Sequence, residues 1–401
     1  MTPCRPALRG PEFIALAAFM MSVFALSIDV TIPALALIGR DLAVANANDA
    51  QYIVSVLVLG MAVGQIFYGP LSDSIGRKPA IYVGLAVFSA GSIISMVATD
   101  FPTMLAGRFL QGLGAAGPRI VIMALVRDQF AGPAMARIMS IVITVFVAVP
   151  MVAPFVGQGI LLVATWRAVF VLLLVLSLAV LAWFAVRQPE TLPRSARRPF
   201  ALRPIAAATR EILASRPALA YTVAAGFAFG AIFGYINSAQ QIFQDLYQVG
   251  DYCPFYFSSL TVAVGAATLS NARLVAFVDM HRLCRYSAWA QAALSILYFA
   301  ISWAYAGTPP LWGTMIYLAA IFFCLGILFG NLNALAMEPL GHIAGIAASV
   351  IGSLSWLITV VLGTLIGQSY DGTLLPLVAG FAVLSLACGA ALRWARPMRS
   401  A

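Results

Sequence analysis

Three charged residues stand deep inside long apolar stretches of this 401-residue sequence, and their types allow proton chemistry. Asp29 is the only acid within any such stretch, in Ser27-Ile28-Asp29-Val30-Thr31-Ile32-Pro33. Arg108 and Arg119 share another, eleven residues apart, close to three turns at about 3.6 residues per turn, so they project from one helix face. Gln111, Gly112 and Ala115 fall on that face too, a polar stripe with small residues for close packing that could line a substrate cavity. An arginine in hydrocarbon costs about 2.5–3.5 kcal/mol on insertion scales and therefore calls for a bundle interior and a partner. Asp29 is the candidate counterion. Burial favours the neutral form of a carboxyl and a nearby arginine favours the ionised form, so an Asp29 whose partner moves could load and release a proton. A purely structural clamp between helices is the other role open to either arginine.

The elements that hold these residues are membrane spans. The chain is 62% hydrophobic and 9% charged, against roughly 45–50% and about 25% in soluble domains. About 20 apolar residues cross about 30 Å of hydrocarbon, and such runs recur near 12–34, 50–69, 79–98, 102–124, 136–158, 167–186, 218–240, 254–275, 285–305, 312–336, 343–366 and 374–392. With span 1 running outward and span 4 inward, Asp29 lies about 9 Å and Arg108 about 8 Å to the outer side of the midplane at about 1.5 Å per residue. The two match in depth.

A net charge of +9 and a pI near 9.6 follow membrane sidedness rather than a nucleic-acid surface. With the N-terminus inside, the inner side holds 18 Lys and Arg: Arg5, Arg9, Arg77, Lys78, Arg127, Arg137, Arg187, Arg194, Arg197, Arg198, Arg203, Arg210, Arg216, Arg282, Arg285, Arg393, Arg396 and Arg399. Outer loops hold 2, Arg40 and Arg167, and acids such as Asp41, Asp245 and Asp371. That bias satisfies the positive-inside rule and puts both termini in the cytoplasm. Arg5 and Arg9 before an apolar run resemble a signal peptide, but apolar character continues to Ile38, which indicates a retained first span. Five dispersed cysteines without a CxxC pair give no metal or redox framework and are expected to be buried and inert. His281 and His342 fall in cytoplasmic loops, away from any intramembrane relay.

The longest polar break, 187–217, carries seven arginines and the prolines Pro189, Pro193, Pro199 and Pro204. It divides the chain into an N-terminal bundle over 1–186, a cytoplasmic basic linker over 187–217 and a C-terminal bundle over 218–401. Similar halves suggest duplication, with a substrate site at the midplane between repeats; a twelve-helix bundle without internal symmetry gives the same hydropathy. Gly69 to Lys78 and Asn271 to Arg282, at matching places in the two halves, carry a faint echo.

Gly69-Pro70-Leu71-Ser72-Asp73-Ser74-Ile75-Gly76-Arg77-Lys78 has the form G-x-L-x-D-x-x-G-R-K on the cytoplasmic side between spans 2 and 3. Gly69 and Gly76 permit a tight turn, Asp73 can receive helix N-terminal dipoles or arginines, and Arg77 and Lys78 are expected to face anionic lipid. Arg108-Phe109-Leu110-Gln111-Gly112-Leu113-Gly114-Ala115-Ala116 gives R-x-x-Q-G-x-G-A-A. These two stretches resemble the major facilitator superfamily. In span 5, Val149-Pro150-Met151-Val152-Ala153-Pro154-Phe155-Val156-Gly157-Gln158 resembles its antiporter motif G-P-x-x-G-G, keeping Pro154 and Gly157 but with Ala153 and Gln158 in glycine positions. Asp29-x-x-x-Pro33, Arg127-Asp128, Trp166-Arg167-Ala168-Val169-Phe170, Asn271-x-Arg273-Leu274-Val275 and Asn333 to Pro339 narrow the resemblance to the bicyclomycin and chloramphenicol resistance (Bcr/CflA) branch.

The resemblance implies an all-α membrane protein of the major facilitator fold, twelve transmembrane helices in two six-helix bundles. It implies proton-coupled efflux of small lipophilic drugs, phenicol- or bicyclomycin-like, across the bacterial inner membrane, by a monomer that needs membrane lipid and a proton gradient but no cofactor and no nucleic acid. Asp29 and Arg108 take the coupling positions; Gly69, Asp73, Gly76, Arg77, Lys78, Arg137, Pro154 and Gly157 take conformational gating. Tyr235, Asn237, Gln240 and Gln241 end span 7 after several phenylalanines, and Asn237 is the substrate-cavity candidate there. Aromatic packing explains these residues as well. A proton-coupled importer on the same fold is the alternative, against which Pro154 and Gly157 favour export. A membrane enzyme would need a carboxylate pair, metal spacing or nucleophile motif, none of which is present in the sequence.

Overall fold

A computed structural model describes residues 10–201 and 203–395; Cys4, Arg5, Arg9, Arg396 and Arg399 lie outside them. The helices in chain order are α1 (Gly10–Asp29), α2 (Leu35–Asp41), α3 (Tyr52–Ile75), α4 (Arg77–Val97), α5 (Phe101–Gln129), α6 (Gly132–Val163), α7 (Arg167–Arg187), α8 (Arg203–Ala214), α9 (Arg216–Gln241), α10 (Cys253–Leu274), α11 (Met280–Ala304), α12 (Leu311–Met337), α13 (Ala344–Gln368) and α14 (Leu375–Trp394). Each of the twelve expected spans coincides with one long helix. Among the described residues, ten apolar stretches are long enough to cross a membrane, and one of them, Leu311–Gln368, holds both α12 and α13. The twelfth helix, α11, is too polar to qualify on composition, carrying Arg282, Arg285 and Gln291. The chain is an all-helical multi-pass membrane protein.

The described residues form two compact units, Met1–Ala43 with Val56–Leu202, and Val44–Ser55 with Arg203–Ala401. In unit 1, α4 lies along α5 and α7, and α1 packs on α5, α6 and α7. Bare backbone meets backbone where α4 and α5 touch: a Cβ on Gly107 would stand 3.0 Å from the Gly91 carbonyl oxygen. In a solvent as apolar as the side chains, such close approach is what holds helices together. In unit 2, α9 packs on α12, α13 and α14, and α11 on α12 and α14.

Two departures from the sequence expectations follow from local chemistry. The span expected over 12–34 is interrupted before its end: α1 stops at Asp29, a 3-10 turn covers Ile32–Ala34, and α2 then starts at Leu35. Pro33 has no N–H to give and restricts the residue before it, so the α-pattern fails there. The basic break is not bare linker either. Its α8 buries Ile205, Ala208 and Ile212 and turns Arg203 and Arg210 outward. It rests on α13 and α9, and Glu211 meets His342 at 2.8 Å.

Candidate functional site

Asp29 is the last residue of α1, 5% exposed, at the point where the helix gives way to the Pro33 turn. The turn is tied down locally. The Thr31 hydroxyl donates to the Ser27 carbonyl at 3.0 Å, and the Ser27 hydroxyl donates to that of Phe24 at 2.6 Å. Arg108 reaches across from α5, fully buried, and donates to the same Ser27 carbonyl at 2.8 Å and to Gln111 Oε1 at 2.8 Å, with its guanidinium 5.7 Å from the Phe170 ring centre. The arginine therefore contacts the α1 backbone two residues before Asp29; the ion pairs of the described residues do not include one between the two side chains. Gln111 completes a chain by donating to Ser92 Oγ at 2.7 Å.

The other residues of that face divide by exposure. Gly112 presses on the Leu57 carbonyl of α3, and Ala115 and Gln111 are buried. Arg119 is partly accessible. Its contacts include the Met61 thioether, 3.1 Å from a guanidinium nitrogen, and the faces of Phe24 at 5.6 Å and Phe146 at 6.0 Å.

The antiporter-like stretch approaches the residue after Asp29. α6 contains Pro150 and Pro154, and Gly157 one turn beyond lies so close to α1 that an added Cβ would overlap the Val30 carbonyl oxygen. Carbonyls freed by proline bend the helix, and the missing side chain lets it close on its neighbour. Beyond the ends of the spans, Asp41 accepts from the Trp166 indole at 2.9 Å and from Arg167 at 2.8 Å, and Arg167 also donates to the Ala98 carbonyl at 3.1 Å. That gives Trp166-Arg167 a physical reason: the pair ties the start of α7 to the end of α2.

The stretch from Gly69 to Lys78, helical on both sides of Gly76, corrects one expectation. Arg77 is 4% exposed and does not face lipid. Its guanidinium donates to Asp73 Oδ1 at 2.5 Å, Ser72 Oγ at 2.8 Å and Asp128 Oδ2 at 3.0 Å. Lys78 likewise turns inward, donating to the carbonyls of Ala185 at 2.8 Å and Gln188 at 2.7 Å, the orphan acceptors at the end of α7. Gly76, at φ +109°, takes a conformation that costs other residues dearly. The N-terminus of α4 is closed by Glu190, a residue the sequence reading did not single out. Its carboxylate accepts from the backbone N–H of Arg77 at 3.0 Å and of Lys78 at 3.1 Å. A lone acid at the head of an arginine-rich segment was the available signal. Arg137 is exposed near the start of α6.

In unit 2, Asn237 is buried and donates to Ser55 Oγ at 3.2 Å and the Gly363 carbonyl at 3.4 Å. A separate chain of neutral amides lies in the same unit: Gln51 donates to Gln241 at 2.6 Å, Gln241 to Asn48 at 2.7 Å, and Asn48 to the carbonyls of Gln368 at 3.0 Å and Tyr370 at 2.9 Å. The Tyr370 phenol, just beyond α13, is pushed up to about 12 by burial, with Asp245 and Asp371 adding to it. Tyr235 packs against Phe243, Phe257 and Phe322. His281 lies in the first turn of α11 rather than in a loop, with Nδ1 2.6 Å from the Tyr221 hydroxyl, beside a cavity of about 520 Å³. No group of three or more potential metal ligands occurs among the described residues.

The chain is similar to known proteins in sequence and in fold. The chain is 29% identical over 360 residues to a bicyclomycin resistance protein homolog of Haemophilus influenzae, covering 88% of this chain and 87% of that one. It is 28% identical over 380 residues to an uncharacterized MFS-type transporter, YdgK, of Bacillus subtilis, covering 92% of each. Multidrug resistance protein D of Escherichia coli is 24% identical over 408 residues, covering 94% and 95%. Among solved structures, the human organic anion transporter MFSD10 superposes with a TM-score of 0.71 at 14% identity over 98% of this chain and all of that one, and the xylose transporter XylE of E. coli with 0.71 at 13% over 95% and 96%. The Major Facilitator Superfamily profile matches residues 17–364, and the chain belongs to that superfamily of transporters.

Proposed function

We propose that this transporter exports small lipophilic drugs from the bacterial cytoplasm in exchange for protons, with both termini on the cytoplasmic side. The observation that carries the reading is the junction at the end of α1. A carboxyl, Asp29, is buried where Arg108 of α5 grips the Ser27 carbonyl and Gly157 of α6 presses on Val30. A proton bound or lost there changes the charge at a point where three helices meet, which is how a proton gradient can bias a transporter between conformations. Relatives named for bicyclomycin and multidrug resistance support drugs as the cargo. With one acid at that depth, we propose one proton per cycle. Arg108 acts as a positioning residue for the α1 end.

The test is a drug-susceptibility panel in an efflux-deficient bacterial host carrying wild type, D29N or R108A, with and without a protonophore. Wild type raises resistance to at least one phenicol- or bicyclomycin-like compound, the protonophore abolishes it, and D29N is inactive or moves drug without response to a pH gradient. A D29N protein whose transport still tracks the gradient would remove Asp29 from the coupling role.

A further inference from the structure

The sequence assigns only two basic residues to outer loops, Arg40 and Arg167, and the fold brings both to one cavity. It measures about 480 Å³ and lies in unit 1 where α2 and α6 end and α7 begins, with Leu37, Asp41, Ala164 and Trp166 also in its lining. The two arginines differ in their partners. Arg167 donates to Asp41 Oδ2 at 2.8 Å and to the Ala98 carbonyl at 3.1 Å, and its guanidinium lies 4.2 Å from the centre of the Trp166 ring. Arg40 is exposed, and its side chain has no hydrogen bond or ion pair among the described residues. Asp41 is engaged by the Trp166 indole and Arg167. Its charge offsets one guanidinium and leaves that of Arg40 uncompensated. A second source of positive potential lies at the same residues: α7, 21 residues long, starts at Arg167, and no side chain caps its N-terminus. The cavity also borders hydrocarbon. Leu162 and Val163, the last residues of α6, are 72% and 86% exposed, and Leu37 is exposed as well; apolar surface at the end of a span is at rest against acyl chains, not water. A ligand suited to such a place has a negative head and an apolar body.

We propose that this cavity holds the headgroup of one anionic phospholipid, with its phosphodiester on Arg40 and the remaining donors of Arg167 and its acyl chains along Leu37, Leu162 and Val163. Guanidinium groups match phosphate oxygens in a bidentate geometry, and a phosphate shared by the two arginines ties α2, which follows the Asp29 turn, to the start of α7. A zwitterionic headgroup brings its own cation against Arg40, whereas phosphatidylglycerol brings none, and the preference for an anionic lipid follows from that difference. The site goes beyond the exporter reading; only the leaflet it faces depends on the orientation proposed above.

Native mass spectrometry of the purified full-length protein, with phosphatidylglycerol, phosphatidylcholine of the same acyl chains or glycerol phosphate added, reads the preference directly. Wild type is expected to bind its first phosphatidylglycerol about fivefold more tightly than phosphatidylcholine, the equivalent of about 1 kcal/mol for one basic residue beside anionic lipid. R40Q should bind the two lipids alike, R40K should keep most of the preference, and R203Q, which removes an exposed arginine of α8, should keep all of it. An R40Q melting point equal to that of wild type in lipid-free detergent shows that the fold is intact. Equal binding of phosphatidylglycerol by wild type and R40Q, or a loss in R203Q as large as in R40Q, overturns the inference. Glycerol phosphate that competes as well as the lipid overturns it too, since the site is then one for a free anion. A phosphatidylglycerol preference with no drug efflux would sink the exporter reading and leave this one standing; efflux with no lipid preference does the reverse.

Discussion

Replacing Gly157 with alanine tests the contact that links the antiporter-like stretch to Asp29. The added Cβ would stand 3.1 Å from the Val30 carbonyl carbon and 3.3 Å from its Cα, and nearer still to its oxygen. The obstacle is backbone, so no rotamer change relieves it; α6 must back away or the end of α1 must shift with Asp29 on it. Overpacking of this kind costs about 1–3 kcal/mol, and removing a helix-interior glycine returns about 0.5–1 kcal/mol. A net loss of about 1–2 kcal/mol remains, a melting point lower by about 2–8 °C for a unit of this size. Drug transport in proteoliposomes should fall about tenfold, since about 1.4 kcal/mol of misplacement is a factor of ten. Gly159 provides the control two residues on, because a Cβ there meets nothing within 4 Å. Gly159→Ala should match wild type or melt slightly higher. Melting followed by intrinsic fluorescence, beside proteoliposome transport, reads both. Wild-type behaviour of Gly157→Ala, an equal loss in Gly159→Ala, or rescue of Gly157→Ala by Val30→Ala would refute the reasoning, since trimming a side chain cannot move a carbonyl.

Arg77→Lys should lower the melting point by the equivalent of about 1–3 kcal/mol, because one ammonium cannot serve Asp73, Ser72 and Asp128 together; the exposed Arg137→Ala should stay within about 0.5 kcal/mol, and equal losses would count against a structural Arg77. Glu190→Ala removes the acceptor of the first two α4 amides and should cost about 0.5–2 kcal/mol, visible as faster hydrogen exchange at the start of α4; unchanged exchange there would show that the cap is dispensable. The Tyr370 phenol is raised to about 12 from an ordinary value of 10.0, so its neutral form is favoured by the fold. Its contribution to stability is full below pH 10 and is lost as pH rises through about 12. Wild type should therefore lose more melting temperature than Tyr370→Phe between those values, and parallel curves would contradict the assigned cause.

Much of the architecture could be read from the chain, because hydrocarbon imposes a single rule. Every backbone group must be satisfied within its own segment, so about 20 apolar residues mean a helix. Asp29, Arg108 and Arg119 were equally visible, since a charge in an apolar run has no cheap explanation. The helical period put the arginines on one face; it could not separate the sealed Arg108 from the accessible Arg119, a difference set by Ser27, Gln111 and Phe170 on one side and by Met61, Phe24 and Phe146 on the other. Loop charges misled for a related reason. Arg77 and Lys78 have the composition of a lipid-facing pair, yet Asp128 and the α7 carbonyls, some 50 and 110 residues away, turn them inward. Span positions follow from local hydropathy, while the destination of each charge depends on partners that only the folded chain brings within hydrogen-bond reach.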